Sequence, residues 1–131
     1  MKLQKQMVRS FSIFIIGLMG FCHAAFAETD VSGEDLKTLL SGNTVEGKYI
    51  KWDTTHKMYF EATGKIRRID SKNKKEKGEW YINGSGELCI SMRKEHCNYV
   101  MKRDDGGYNV YRSGTLKFTF DKIVSGNPYN L

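Results

Sequence analysis

The sequence predicts a mainly β fold: a small antiparallel barrel or half-barrel of about eight strands in meander order, with one short N-terminal helix. Three observations predict it. Aromatic and β-branched runs of strand length recur at even spacing from Gly47 onward. Many of them alternate apolar with polar residues, which gives each strand one apolar face. The tight-turn sequences Asn83-Gly84-Ser85-Gly86 and Asp104-Asp105-Gly106-Gly107 separate consecutive runs, so neighbours in the chain become neighbours in the sheet.

Residues 1–27 read as an export signal. Lys2, Lys5 and Arg9 form a basic start, Phe11 to Phe21 an apolar run, and Ala25-Phe26-Ala27 a small-x-small cleavage site. The expectation is a chain cleaved after Ala27 and a single small β domain over 28–131, periplasmic or secreted. Cys22 raises lipid attachment, but Phe21 stands where such a site wants a small residue. The apolar run falls short of the ~20 residues that span a bilayer, and no later run approaches that length. The mature chain is therefore expected to carry no transmembrane segment.

Within the domain, Ser32 is placed to cap a helix over Gly33 to Ser41. Glu34 and Asp35 put negative charge in its first turn, Leu36, Leu39 and Leu40 form its apolar stripe, and Gly42 stops it. Strands follow at Gly47–Trp52, Lys57–Thr63, Lys65–Asp70, Gly78–Asn83, Glu87–Met92, His96–Arg103, Tyr108–Arg112 and Thr115–Ile123. Met58, Phe60 and Ala62 share one face. Trp80 and Ile82, then Leu88, Ile90 and Met92, then Leu116, Phe118 and Phe120 repeat the pattern, with Lys117, Thr119 and Asp121 facing the other way. A sheet with one apolar face must cover it, by curling on itself or by taking the helix as a lid. The two Ser-Gly-Asn sequences, at residues 41–43 and 125–127, read as turns that end the helix and the last strand.

Two cysteines remain after the leader, Cys89 and Cys97, in a compartment where thiols are oxidised. A hairpin turning about Arg93 sets them opposite each other, and the expected outcome is a cross-strand disulfide. The competing reading is a metal set drawn from Cys89, His96, Cys97 and His56. Adjacent His96 and Cys97 point to opposite faces of a strand, and the spacing matches no usual zinc pattern. Taken singly, His56 and His96 read as solvated strand or turn residues.

The chain's 21 Lys and Arg, less the leader's three, leave 18 against 15 Asp and Glu, a net charge of +3. That balance argues against nucleic acid as a partner. The surplus is local: Lys65, Arg67, Arg68, Lys72, Lys74, Lys75 and Lys77 stand against only Asp70 and Glu76 around a turn at residues 71–74. Such a run reads either as a solvated hairpin tip or as a weak contact with anionic groups of the cell envelope, lipid headgroups or acidic polysaccharide.

Leu40-Ser41-Gly42-Asn43-Thr44, Gly78-Glu79-Trp80, Gly86-Glu87-Leu88-Cys89 with Cys97, and the closing Ser125-Gly126-Asn127-Pro128-Tyr129-Asn130-Leu131 together resemble a family of small exported proteobacterial proteins classed as a domain of unknown function. The resemblance covers most of the mature chain and implies an exported scaffold. Its motifs are turns, one Trp and a cysteine pair, so it carries over no catalytic residue. The basic stretch Lys72 to Lys77 is not part of that pattern.

No phosphate-binding glycine loop and no nucleophile elbow is legible, and the pairs Glu34–Asp35 and Asp104–Asp105 are explained by a helix start and a turn. The expected catalytic, metal and cofactor residues are therefore none. The expected function is a non-enzymatic binding or interaction protein of the bacterial cell envelope, a monomer that holds a small apolar ligand or an envelope protein partner. The alternatives are a secreted enzyme inhibitor or an enzyme whose site is not visible in sequence. Tyr49, Trp52, Tyr59, Tyr81, Tyr99, Tyr108 and Tyr111 are candidates to line a binding site, or ordinary strand composition.

Overall fold

Eleven elements follow one another in the chain: β1 (Thr29–Val31), α1 (Gly33–Leu40), β2 (Asn43–Tyr49), β3 (Thr54–Phe60), β4 (Lys65–Asp70), β5 (Lys75–Ile82), β6 (Leu88–Ser91), β7 (Glu95–Lys102), β8 (Tyr108–Arg112), β9 (Thr115–Phe120) and β10 (Lys122–Ser125). The computed structural model describes residues 27–131, so the predicted leader lies, but for Ala27, outside the described residues. Each strand from β2 to β9 pairs antiparallel with the next, and β9 returns to β2, closing an eight-stranded barrel. The predicted class and strand order hold, and of the two predicted forms the sheet takes the closed one.

Several boundaries differ from the sequence reading. The helix ends at Leu40, and Ser32 occupies its N-cap position in extended backbone without making a side-chain cap hydrogen bond. β1, which pairs with Val100–Lys102 of β7, is too short and polar to show a strand pattern. β5 starts at Lys75, so Lys75 and Lys77 stand in a strand and not in the preceding turn. Ala62 lies beyond the end of β3 and is exposed, unlike Met58 and Phe60. The segment predicted as one strand from Thr115 to Ile123 is two, broken at Asp121.

That break shapes the barrel seam. β10 runs along Asn43–Glu46 of β2, while β9 meets β2 at the single pair Tyr49↔Phe118. The Asp121 N–H donates to the Glu46 carbonyl at 2.7 Å, the Lys48 N–H to the Thr119 hydroxyl at 3.2 Å, and the Ile50 N–H to the Lys117 carbonyl at 3.0 Å. A Cβ at Gly47 would run into the Thr119 carbonyl, and one at Gly78 into that of Ser91, so both glycines mark corners where neighbouring backbones pass too close for a side chain. The two Ser-Gly-Asn turns meet here: Asn43 pairs with Ser125, and the Thr44 hydroxyl donates to the Gly126 carbonyl at 2.7 Å.

Inside, the apolar residues gather toward one end. Phe60, Ile66, Leu88, Val100, Val110 and Phe120 are fully buried, and Leu36 and Leu40 of α1 join the same cluster. Phe60 stacks edge-on against Trp80 with ring centroids 5.3 Å apart, and the Trp80 indole N–H donates to the Glu61 carbonyl at 2.9 Å. The Gly33 N–H donates to the Gly86 carbonyl at 3.1 Å and ties the helix start to the β5–β6 turn. The helix thus seals the end of the barrel at which β2 begins. The turns at residues 50–53, 71–74, 92–94 and 113–114 surround the opposite end.

Candidate functional site

Strand alternation does not stop at the apolar cluster. Along β3 the inward positions continue from Phe60 through Met58 to His56, along β4 from Ile66 to Arg68 and Asp70, and along β7 from Val100 to Asn98 and His96. The inner face therefore changes from apolar to polar toward the unsealed end. There it encloses an open cavity of about 570 Å³, within the range of small-molecule sites. Tyr49, Met58, Ile90, Met92 and Phe118 supply apolar lining, and Trp52 stands at the rim.

Charge is unevenly paired in this cavity. Six cationic side chains (Arg68, Lys72, Lys74, Arg93, Lys94 and Arg112) line it against two carboxylates, Asp70 and Glu76. Glu76 takes three of the cations: Arg68 directly opposite it in register, Arg93 at 3.3 Å and Lys74 at 3.4 Å. Asp70 closes its own turn by accepting the N–H groups of Lys72 and Lys74, each at 2.9 Å. The Lys74 N–H chiefly, then the Lys72 N–H and the Arg68 and Lys74 charges, hold its carboxyl below the usual range against some opposing desolvation. The Arg112 Nε donates to the Asn98 side-chain oxygen at 3.0 Å.

His56 is set deep in the lining, at 4% exposure, and neither ring nitrogen has a hydrogen-bond partner among the described residues. Desolvation lowers its pKa to about 4, Arg68 adds to the effect, and Asp121 partly opposes it. The imidazole is thus neutral at physiological pH, with one N–H and one lone pair unpaired. This corrects the sequence reading of His56 as a solvated residue. Half-buried His96 is also lowered, by desolvation first and then by Arg112, Lys94 and Lys117.

Cys89 and Cys97 face each other in register and form the predicted disulfide, with Cα atoms 4.0 Å apart. The bridge lies on the outer side of the wall, since Leu88 and Ile90 point inward, and it removes both thiolates from any metal set. The seven basic residues of the predicted surface contact separate. Arg68 points into the cavity, and Lys72 and Lys74 stand on its rim. Lys65, Arg67, Lys75 and Lys77 are exposed on the outer wall, where Arg67 donates to the Leu131 carbonyl at 3.0 Å.

The aromatic candidates divide in the same way. Tyr49 and Trp52 line the cavity, whereas Tyr108 belongs to the core. Tyr81 and Tyr99 are exposed on the outside, Tyr99 stacked on Tyr111 at 5.2 Å, and Tyr59 is half-buried on the outer side of β3. Sequence reasoning missed His56, Asn98 and Arg112 as cavity residues. Their signal was positional, since each sits an even number of residues from a buried apolar neighbour on its own strand. No protein-family model matches the chain, and no curated protein matches its sequence.

Proposed function

We propose that this chain is an exported, non-enzymatic binding module of the bacterial cell envelope that takes a small ligand with an apolar body in the open end of the barrel. The observation that carries this reading is the cavity of about 570 Å³ opposite the helix-sealed end, apolar in part and edged by polar groups. The disulfide supports export, since such bridges persist in oxidising compartments. Among the described residues no helix is long and apolar enough to cross a membrane. The resemblance to small exported proteins agrees with this placement and names no site residue.

Native mass spectrometry of the protein released from cells without denaturation is the direct test. The expected result is a small-molecule adduct that disappears when Ile90→Trp fills the cavity. Ligand-free protein that also fails to bind an apolar fluorescent probe would overturn the reading.

The rim supports a second part of the proposal, contact with an anionic surface. Trp52 and Ile50 are exposed there beside Lys51, Lys72, Lys74 and Lys94, a combination suited to a lipid–water boundary. Lys72→Gln with Lys74→Gln is expected to weaken sedimentation with phosphatidylglycerol vesicles roughly thirtyfold at low salt, from about 1 kcal/mol per lysine. Lys75→Gln with Lys77→Gln makes the same charge change on the outer wall and is expected to leave sedimentation nearly unaltered. Equal losses in the two double variants would show that net charge and not the rim governs the contact.

A further inference from the structure

Arg112 differs from the other guanidinium groups of the cavity. Among the described residues, Arg68 and Arg93 reach the Glu76 carboxylate, whereas Arg112 reaches no carboxylate. Its position is fixed by the fold. Tyr99 pairs with Tyr111 in the β7–β8 register, which sets Asn98 and Arg112 opposite each other on the inner face. Asn98 is 1% exposed, and its amide nitrogen faces the Leu88 carbonyl at 3.3 Å and the His96 carbonyl at 3.4 Å. Those contacts turn its oxygen toward the Arg112 Nε, at 3.0 Å. The arginine is therefore held at one edge of its fork, and its two terminal nitrogens have no partner among the described residues.

A half-buried guanidinium without a counter-charge is costly, and its planar fork matches carboxylate and phosphate oxygens in pairs. A second observation points to the same occupant. His56, lining the same cavity, is buried with both ring nitrogens unpartnered, a second polar group there that the described residues do not satisfy. The same cavity is lined by the apolar side chains of Met58, Ile90 and Phe118. A cationic ligand would oppose Arg112, and a hydrocarbon would leave Arg112 and His56 unpaired.

We infer that the open end of the barrel is a site for an anionic amphiphile, whose carboxylate or phosphate head is held by the Arg112 fork while its apolar body lies on Met58, Ile90 and Phe118. The inference rests on the reading of the barrel as a binding module and names the class of ligand. Asn98 is the positioning residue, since it sets the direction of the fork.

Isothermal titration of the mature protein with decanoate, decyl phosphate, uncharged decane-1,2-diol and inorganic phosphate tests it. The wild type is expected to bind at least one of the two anionic amphiphiles tenfold or more tightly than the diol. Preference for decanoate identifies a fatty-acid type of ligand, and preference for decyl phosphate a phospholipid-type head. Arg112→Met and Arg112→Gln are expected to abolish that preference, and Lys77→Met on the outer wall to retain it. Wild-type affinity for decanoate and decyl phosphate in both Arg112 variants would overturn the inference, as would inorganic phosphate binding as tightly as decyl phosphate. Diol binding without any preference for the anions overturns this inference and leaves the binding module standing, whereas binding of no probe overturns both. Should both Arg112 variants unfold, the wild-type order of affinities decides.

Discussion

Trp80→Ala is expected to destabilise the domain by about 3–5 kcal/mol, the range for removing a large aromatic side chain from a packed core. The indole is 5% exposed, stacks edge-on against Phe60, and spends its N–H on the Glu61 carbonyl. Alanine would leave a cavity between the barrel wall and the helix-sealed end and strip that carbonyl of its donor. For a domain of this size the loss corresponds to a fall in Tm of more than about 10 °C. Trp52 supplies the comparison. It is 65% exposed with Lys51 over its ring, and Trp52→Ala is expected to melt within a degree or two of wild type. Thermal melts of the two variants check both statements, and a Trp80→Ala protein that melts like wild type would mean the inner face has been assigned wrongly.

Loss of the Cys89–Cys97 bridge is expected to cost about 2–5 kcal/mol, the usual range for a small secreted domain. The cysteines are eight residues apart, and closing so short a loop accounts for about 2.5 kcal/mol on the chain-entropy model. Replacing Cys89 adds a packing loss because that side chain is fully buried. The Cys89→Ala, Cys97→Ala double variant should therefore unfold at clearly lower urea concentration, with an unchanged slope. The oxidised mature protein should show almost no free thiol when denatured without reductant. Two titratable thiols per chain, or an unchanged urea midpoint in the variant, would remove the bridge from the account of stability.

The wall of the barrel was legible because its apolar positions keep a period of two on either side of strong turn sequences. Phe60, Trp80, Leu88 and Phe120 all fall inward on that pattern alone. The polar end was not legible for the same physical reason. An inward Arg68 or Arg112 in the last turn-ward positions of a strand looks, in sequence, like any solvated strand end. Treating Lys65 to Lys77 as one basic run hid the alternation within it: Arg67 faces solvent and Arg68 the cavity, although they are adjacent. Extending the face defined by Ile66 by two residues would have placed Arg68 inside. The break at Asp121 had no such signal. It arises where β2 exchanges one partner for another, which depends on strands far apart in the chain.

The seam at that exchange gives the barrel one compliant side. β2 is bonded to β3 along its whole length, yet toward the open end it holds β9 by Tyr49 and Phe118, by one hydroxyl substituting for a carbonyl at Lys48, and by the Ile50 amide. Local opening follows the places where backbone hydrogen bonds are fewest. The first local opening of the wall is therefore expected as a slit between β2 and β9, where the Tyr49–Phe118 stack, centroids 6.1 Å apart, bridges the two strands.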